Sequence, residues 1–397
     1  MNFLQLHRVD VYPPTNGGEK RVWETAKKLA EYGDVRLACP WPDLPNFPVP
    51  GIEPGMLDTA LLHNKFGRIH LWNLCFLYSS GNPYVDLLTN RILADTPFDP
   101  RIDVVVCESP QMFVAAKRIS VETGAYLLTN KHNAMFSIAD DVLKSKPVPG
   151  RVRRRLIANL RTFEQRTIDQ SDCVVFQSED DLAEFDVPET TRVDVIPNGT
   201  DYERIQEGGD PSGLRREWGI EETDTVCLFI GSYDYTPNRE AASIIVNQFA
   251  PAFPDVQFVL AGRNPPEHNR ENVHTPGFVD DLPGALHLAD IALAPLVTGA
   301  GTKLKMLDYL AAGLPIVTTP TGAQGLPIED GKTAIVRNGT DEMIEAIDLL
   351  VSDSDRRHQF SRRARQTAMD YSWQRLLDGY GDIIDEVGRT DRDTGVL

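Results

Sequence analysis

Residues 294–317 read APLVTGAGTKLKMLDYLAAGLPIV, and their reading decides the fold. The apolar run 291–294 ends at Pro295, as a strand would. A loop with Gly299 and Gly301 follows, a helix is predicted from about Thr302 to Ala312, and residues 316–318 form the next apolar run. Strand, glycine loop, helix, strand is the unit of a parallel sheet covered by helices. The predicted helix start gathers backbone N–H groups, the Thr302 hydroxyl and the ammonium groups of Lys303 and Lys305. Each favours an anion, so the segment reads as a phosphate site. Asp308 shares the face of Lys305, three residues on, where a carboxylate can accept both hydroxyls of a ribose. The plainer reading is a solvated Lys305–Asp308 ion pair. The glycine loop ahead of the helix favours a nucleoside diphosphate.

The alternation continues in both directions. Runs at 226–230 and 257–261, with helices at 239–249 and 341–351, complete one series. In the first half, runs at 3–6, 35–39, 103–107, 125–128 and 173–176 alternate with helices at 19–32, 111–121 and 154–168. Residues 193–201 between them carry Pro197 and Asn198-Gly199, a turn signature that marks a boundary. The predicted architecture is α/β: two facing Rossmann-like, doubly wound parallel-sheet domains with a cleft between them. Their bounds are 1–195 and 196–371, and a C-terminal helix, 372–388, returns to the first domain. Residues 41–100, rich in Pro, Gly and aromatics, read as an insertion shaping one wall.

Acidic residues number 58 against 40 basic ones, giving a net charge of −18. That excludes a general nucleic-acid binder, which needs a basic field. No apolar run approaches the roughly 18 residues of a membrane span, and the N-terminus reads as a strand rather than a signal peptide. Cys39, Cys75, Cys107, Cys173 and Cys227 are scattered without a CxxC, as buried thiols in a reducing cytoplasm would be. The pairs Asp140-Asp141, Asp180-Asp181 and Asp280-Asp281 lack the DxD spacing that holds a metal on a nucleotide diphosphate. They read as surface or helix caps, and neither metal nor cofactor is expected.

Other strand ends carry further candidates. Gly17 and Gly18 precede a helix, where they let backbone N–H groups approach a phosphate, although an ordinary tight turn looks the same. Gly231 and Ser232 close one strand, and Arg263 closes the next with a guanidinium suited to a diphosphate. His132 follows an apolar strand at an expected crevice edge, where an imidazole can bond a sugar or acceptor hydroxyl.

Residues 294–317, together with 195–201, 229–238, 276–282, Gly17-Gly18-Glu19 and 128–133, resemble retaining glycosyltransferase family 4, with its GT-B fold. The likeness covers almost the whole chain. It implies that Gly17 and Gly18 border the diphosphate and donor sugar, and that His132 is the active-site histidine near sugar and acceptor. It also implies that Phe278 and Val279 hold the base through backbone contacts and that Asp308, the second acid of an E-x7-E motif, binds ribose. The first acid of that motif falls at Ala300. An Arg/Lys pair expected after the first strand of the second domain is replaced by Ser232 and Pro237-Asn238. Lys303, Lys305 and Arg263 could supply that charge. The activity implied is transfer of a hexose, with retention, from a UDP- or GDP-linked donor to a glycan acceptor that could be lipid-linked. The alternatives are a catalytically inactive sugar-nucleotide binder, consistent with Ala300, and a nucleotide-sugar epimerase, for which the acid and histidine cluster around the sugar is not found.

One charge run goes against the acidic background. Arg151, Arg153, Arg154 and Arg155, then Arg161 and Arg166, share a predicted helix with Leu156, Ile157 and Leu160. The ordinary reading is a solvated helix start. Basic clusters beside apolar side chains also bind anionic lipid. Peripheral attachment to the cytoplasmic face through residues 151–166, aided by the apolar stretch 71–78, is the expectation.

Overall fold

A computed structural model describes residues 1–8, 11–14, 16–39, 49–56, 101–144, 146–299 and 301–393. The apolar stretch 71–78 and Ala300 lie outside these residues. The chain divides into two compact units, Met1–Pro197 with Leu377–Leu397, and Asn198–Leu376.

The first unit is built on a seven-stranded parallel sheet in the order β3-β2-β1-β4-β5-β6-β7. Its strands are β1 (Asn2–Leu6), β2 (Asp34–Cys39), β3 (Ile52–Met56), β4 (Val104–Cys107), β5 (Tyr126–Lys131), β6 (Cys173–Phe176) and β7 (Arg192–Val195). The central strands are continuous apolar runs because both faces are covered: every residue of β4 is buried. Helices α1 (Gly17–Leu29), α2 (Phe113–Thr123), α3 (Met135–Lys144) and α4 (Gly150–Asp169) belong to this unit. One core joins Leu4 and Val105 of the sheet to Phe113 and Ile119 of α2 and to Leu160 and Phe163 of α4. The last helix (Gly379–Asp393) is held to the same unit by Lys28–Asp378 at 2.7 Å and by the Tyr380 hydroxyl, which donates to Asn130 Oδ1 at 2.7 Å.

The second unit is a six-stranded parallel sheet in the order β10-β9-β8-β11-β12-β13. Its strands are β8 (Thr225–Ile230), β9 (Val256–Ala261), β10 (Val273–Gly277), β11 (Ile291–Ala294), β12 (Ile316–Thr318) and β13 (Ala334–Val336). Helices α5 (Thr236–Ile244), α6 (Leu304–Ala312) and α7 (Thr340–Ser352) pack into one core with them. Strand order reverses between β1 and β4 in the first unit and between β8 and β11 in the second. In an open α/β sheet ligands bind at the carboxyl ends flanking such a reversal.

The four strands missing from the sequence reading, β3, β7, β10 and β13, are the edges of the two sheets. β3 falls within the stretch read as an insertion and carries Pro54, and β10 carries Pro276, a residue tolerated only where a ladder hydrogen bond is not needed. β7 is half-buried throughout and lacks a solid apolar run. Helix bounds also shift: α1 begins at Gly17 rather than 19, α4 at Gly150 rather than 154, α5 at Thr236 rather than 239, α6 at Leu304 rather than Thr302, and the last helix spans Gly379–Asp393 rather than 372–388.

Candidate nucleotide-binding site

The site in the second unit forms at the carboxyl ends of β8 and β11. From β11 the chain turns through Gly299 (φ 120°) and Gly301 (φ 74°), backbone that residues with a Cβ rarely adopt, and enters α6. Lys303 caps this helix by backbone only, and its ammonium donates to the Gly299 carbonyl at 3.2 Å. Thr302 Oγ1 accepts from Asn198 Nδ2 at 2.6 Å.

Lys305 reaches from the first turn of α6 back to the end of β8. Its ammonium donates to Asn238 Oδ1 at 2.8 Å and stands 4.2 Å from the centre of the Phe229 ring. Asn238, buried at the start of α5, in turn donates from Nδ2 to the Ser232 carbonyl at 2.8 Å. The loop after β8 is thereby folded onto the lysine. A Cβ at Gly231 would come within 2.7 Å of Asn238 Nδ2 and 2.9 Å of Lys305 Nζ, so a larger residue would displace this pair. Burial pushes the Lys305 pKa down to about 7, and burial also lowers that of Lys303. Among the described residues neither lysine pairs with a carboxylate. Two desolvated ammonium groups without counter-ions are costly unless an anion is bound.

Asp308, one turn along α6 from Lys305, accepts from Thr200 Oγ1 at 2.7 Å. Farther along the same carboxyl edge, beyond β9 and β10, the exposed Arg263 guanidinium lies 5.6 Å from the Phe278 ring, which is 58% exposed. Val279 is half-buried against the core. The structure thus gathers Gly231, Ser232, Gly301, Thr302, Lys303, Lys305 and Asp308 around the β8–β11 reversal and sets Arg263 with Phe278 beside β9 and β10. Asn238 and Phe229, which seat the lysine, were not singled out from sequence.

In the first unit His132 follows β5, and both of its ring nitrogens have protein partners. Nε2 lies 2.9 Å from Glu108 Oε2, and Nδ1 lies 2.7 Å from Gln177 Nε2. With the Gln177 amide donating, the ring proton sits on Nε2 and is given to Glu108. Glu108, wholly buried at the end of β4, also accepts from Gln5 Nε2 at 2.6 Å and Asn130 Nδ2 at 2.8 Å. Burial alone would raise its pKa, but the hydrogen bonds from His132, Gln5 and Asn130 outweigh that and hold it below the usual carboxylate range. Behind the histidine, Lys131 and Glu164 form a buried ion pair at 2.7 Å. Glu164 also accepts the Met135 and Phe136 N–H groups at the start of α3, fixing the turn that carries His132. Gly17 and Gly18 open α1, where Asn16 caps the Glu19 N–H at 3.1 Å, and Gly18 is exposed. A lone apolar strand followed by histidine gives no sign of Glu108, Gln177 or Glu164, since these come from β4, β6 and α4.

Several other expectations meet specific surroundings. Asp281 caps the helix after it, accepting from Gly284 N–H at 2.9 Å. Cys107 and Cys173 are buried and free, and burial pushes their thiols up to about 12. On α4, Leu160 is part of the core and Ile157 packs against it, so these side chains do not accompany the basic run at the surface. Arg151, Arg154, Arg155 and the 49%-exposed Val152 do face outward. No helix among the described residues is long and apolar enough to cross a membrane.

Comparison with known proteins assigns the class. Residues 15–204 match the profile described as Glycosyltransferase Family 4, and residues 224–353 match that of Glycosyl transferases group 1. A D-inositol 3-phosphate glycosyltransferase from Corynebacterium jeikeium is 25% identical over 253 residues, which are 57% of this chain and 60% of that protein. The chain thus spans little more than half the length of the curated relatives it matches. In three dimensions it is similar to sucrose-phosphate synthase from Thermosynechococcus elongatus, with TM-score 0.71, 14% identity and 98% and 99% of the two chains covered. It is also similar to Anabaena HepE in complex with UDP-glucose, with TM-score 0.67, 14% identity and 97% and 100% covered. The chain has the GT-B fold of these glycosyltransferase structures. It belongs to glycosyltransferase family 4.

Proposed function

We propose that this chain transfers a hexose from a UDP- or GDP-linked donor to a glycan acceptor, with retention of anomeric configuration. The observation that carries this reading is Lys305: a desolvated ammonium that pairs with no carboxylate among the described residues, at the carboxyl end of β8 and the start of α6. A diphosphate is the anion that suits it, with Lys303, the helix N–H groups and Arg263 sharing the charge. Asp308 takes the ribose, and the backbone at Phe278 and Val279 takes the base. In the reaction the bond from the anomeric carbon to the diphosphate oxygen breaks through an oxocarbenium-like state. The acceptor oxygen bonds to that carbon on the same face and passes its proton to the departing diphosphate, whose negative charge the lysines stabilise. His132 serves the sugar or acceptor hydroxyls, and Gly17 and Gly18 border the donor. The complex of HepE with UDP-glucose supports a nucleotide-sugar donor on this fold.

Titration calorimetry with UDP, GDP and their sugar conjugates tests the donor, and NMR of the product anomer tests retention. The second reading, a donor-binding protein without turnover, is favoured by Ala300 in place of the first acid of the motif. Binding without transfer or donor hydrolysis would establish it.

The acceptor is assigned to polysaccharide or glycoconjugate synthesis on the cytoplasmic side. Peripheral attachment is assigned to the arginines of residues 151–166, with Arg151, Arg154 and Arg155 outermost, each contributing about 1 kcal/mol at an anionic surface. Sedimentation with anionic and neutral liposomes tests this. Failure to bind either would point to a soluble acceptor.

A further inference from the structure

Thr200 is the third residue of the second unit, and its place is fixed from several directions. It is 1% exposed. Its N–H donates to the Tyr371 carbonyl at 2.9 Å, and its own carbonyl accepts from the Trp373 N–H at 3.0 Å. The preceding Gly199 is pressed so closely that a Cβ would meet the Tyr371 carbonyl at 2.9 Å and the Trp373 ring at 3.0 Å. A β-branched side chain on a pinned backbone has little rotamer freedom, and a buried hydroxyl needs a partner. The partner is Asp308: Thr200 Oγ1 donates to Oδ1 at 2.7 Å. Two residues earlier, Asn198 makes the parallel contact to Thr302 on the loop before α6.

A carboxylate that accepts two neighbouring ribose hydroxyls must present its plane at a set angle. A free aspartate rotates about its last torsion and offers both oxygens indifferently. We propose that Thr200 is a positioning residue: by holding Oδ1 it orients the Asp308 carboxylate, so that recognition of the ribose hydroxyls passes through this pair. The proposal rests on the ribose role given to Asp308 above. Thr200, 1% exposed, acts through Asp308 in this proposal. It sets the direction from which Asp308 meets the ribose.

The test is titration calorimetry of wild type, Thr200→Val and Thr200→Ser with UDP, 2′-deoxy-UDP, 3′-deoxy-UDP and inorganic pyrophosphate, repeated with the guanosine series. Valine keeps the branched shape and removes the donor, whereas serine keeps the donor. Wild type should prefer the ribonucleotide over the deoxy forms by roughly ten- to hundredfold, the scale of a hydrogen bond to a charged group. Thr200→Ser should retain that preference. Thr200→Val should bind all three nucleotides at the deoxy level while binding pyrophosphate as wild type does. If Thr200→Val discriminates as strongly as wild type, Thr200 does not position Asp308, and the ribose role of Asp308 survives. If it loses pyrophosphate as well, Thr200 is only scaffold and the proposal is overturned. If wild type itself does not distinguish ribose from deoxyribose, the ribose role fails and takes the proposal with it.

Discussion

The Lys305 ammonium donates to the side-chain oxygen of Asn238 at 2.8 Å, and this bond closes the loop after β8 onto the first turn of α6. An amide oxygen orients the lysine without neutralising it, and among the described residues no carboxylate pairs with it. The group is thus poised for an anion and is sensitive to pH.

Burial lowers the Lys305 pKa from 10.5 to about 7 in the free protein. A bound diphosphate favours the charged form. Affinity for UDP or GDP should therefore fall as pH rises above 7, by up to about tenfold per unit, and binding at pH 8 should take up a proton. Calorimetry in buffers of different ionisation enthalpy measures that uptake. Affinity constant from pH 7 to 9 would contradict it. Between about 7 and 10.5 the unfolded chain keeps a proton that the fold releases, so the contribution of Lys305 to the stability of the free protein rises with pH across that window.

The pair of His132 and Glu108 predicts a separation of turnover from donor binding. His132→Ala should lower turnover by about tenfold or more, the scale of a lost charge-assisted bond, and leave nucleotide affinity nearly unchanged. Glu108→Gln should act in the same direction, because a neutral amide no longer anchors the ring. A parallel loss of nucleotide affinity would make His132 a donor-binding or scaffold residue instead.

Activity should survive EDTA. In the proposed reaction Lys303, Lys305 and Arg263 would supply the charge that a metal supplies in transferases with a DxD motif. Abolition by chelator with rescue by manganese would show that the aspartate pairs were misread.

Lys131→Met should leave Glu164 as a buried charge held, among the described residues, by two N–H groups, and destabilise the protein by about 3–5 kcal/mol. Thermal or urea unfolding measures this. A change below 1 kcal/mol, within the range of exposed pairs, would mean that the pair contributes little to the fold.

Much of this was legible in the sequence because the central strands of both sheets are solid apolar runs and the helices between them are amphipathic. The edge strands β3, β7 and β10 were not, since proline in β3 and β10 and alternating charge in β7 break the apolar run; β13 is apolar but only three residues long. The glycine loop and lysines at 299–305, the candidate phosphate site, could be read because they are adjacent in sequence. What holds Lys305 could not: Phe229 and Asn238 lie 76 and 67 residues away and meet it only through the order of β8 and β11. Glu108 and Gln177 reach His132 in the same way, from neighbouring strands.

The central claim is that a nucleoside diphosphate binds at Lys305. Titration calorimetry of UDP and GDP against wild type and Lys305→Met at pH 7 tests it most directly, with thermal melting to check that the variant is folded. The account predicts binding of one nucleotide to wild type and a loss of roughly 1.5–3 kcal/mol in the variant. Equal affinity in the two proteins would contradict it.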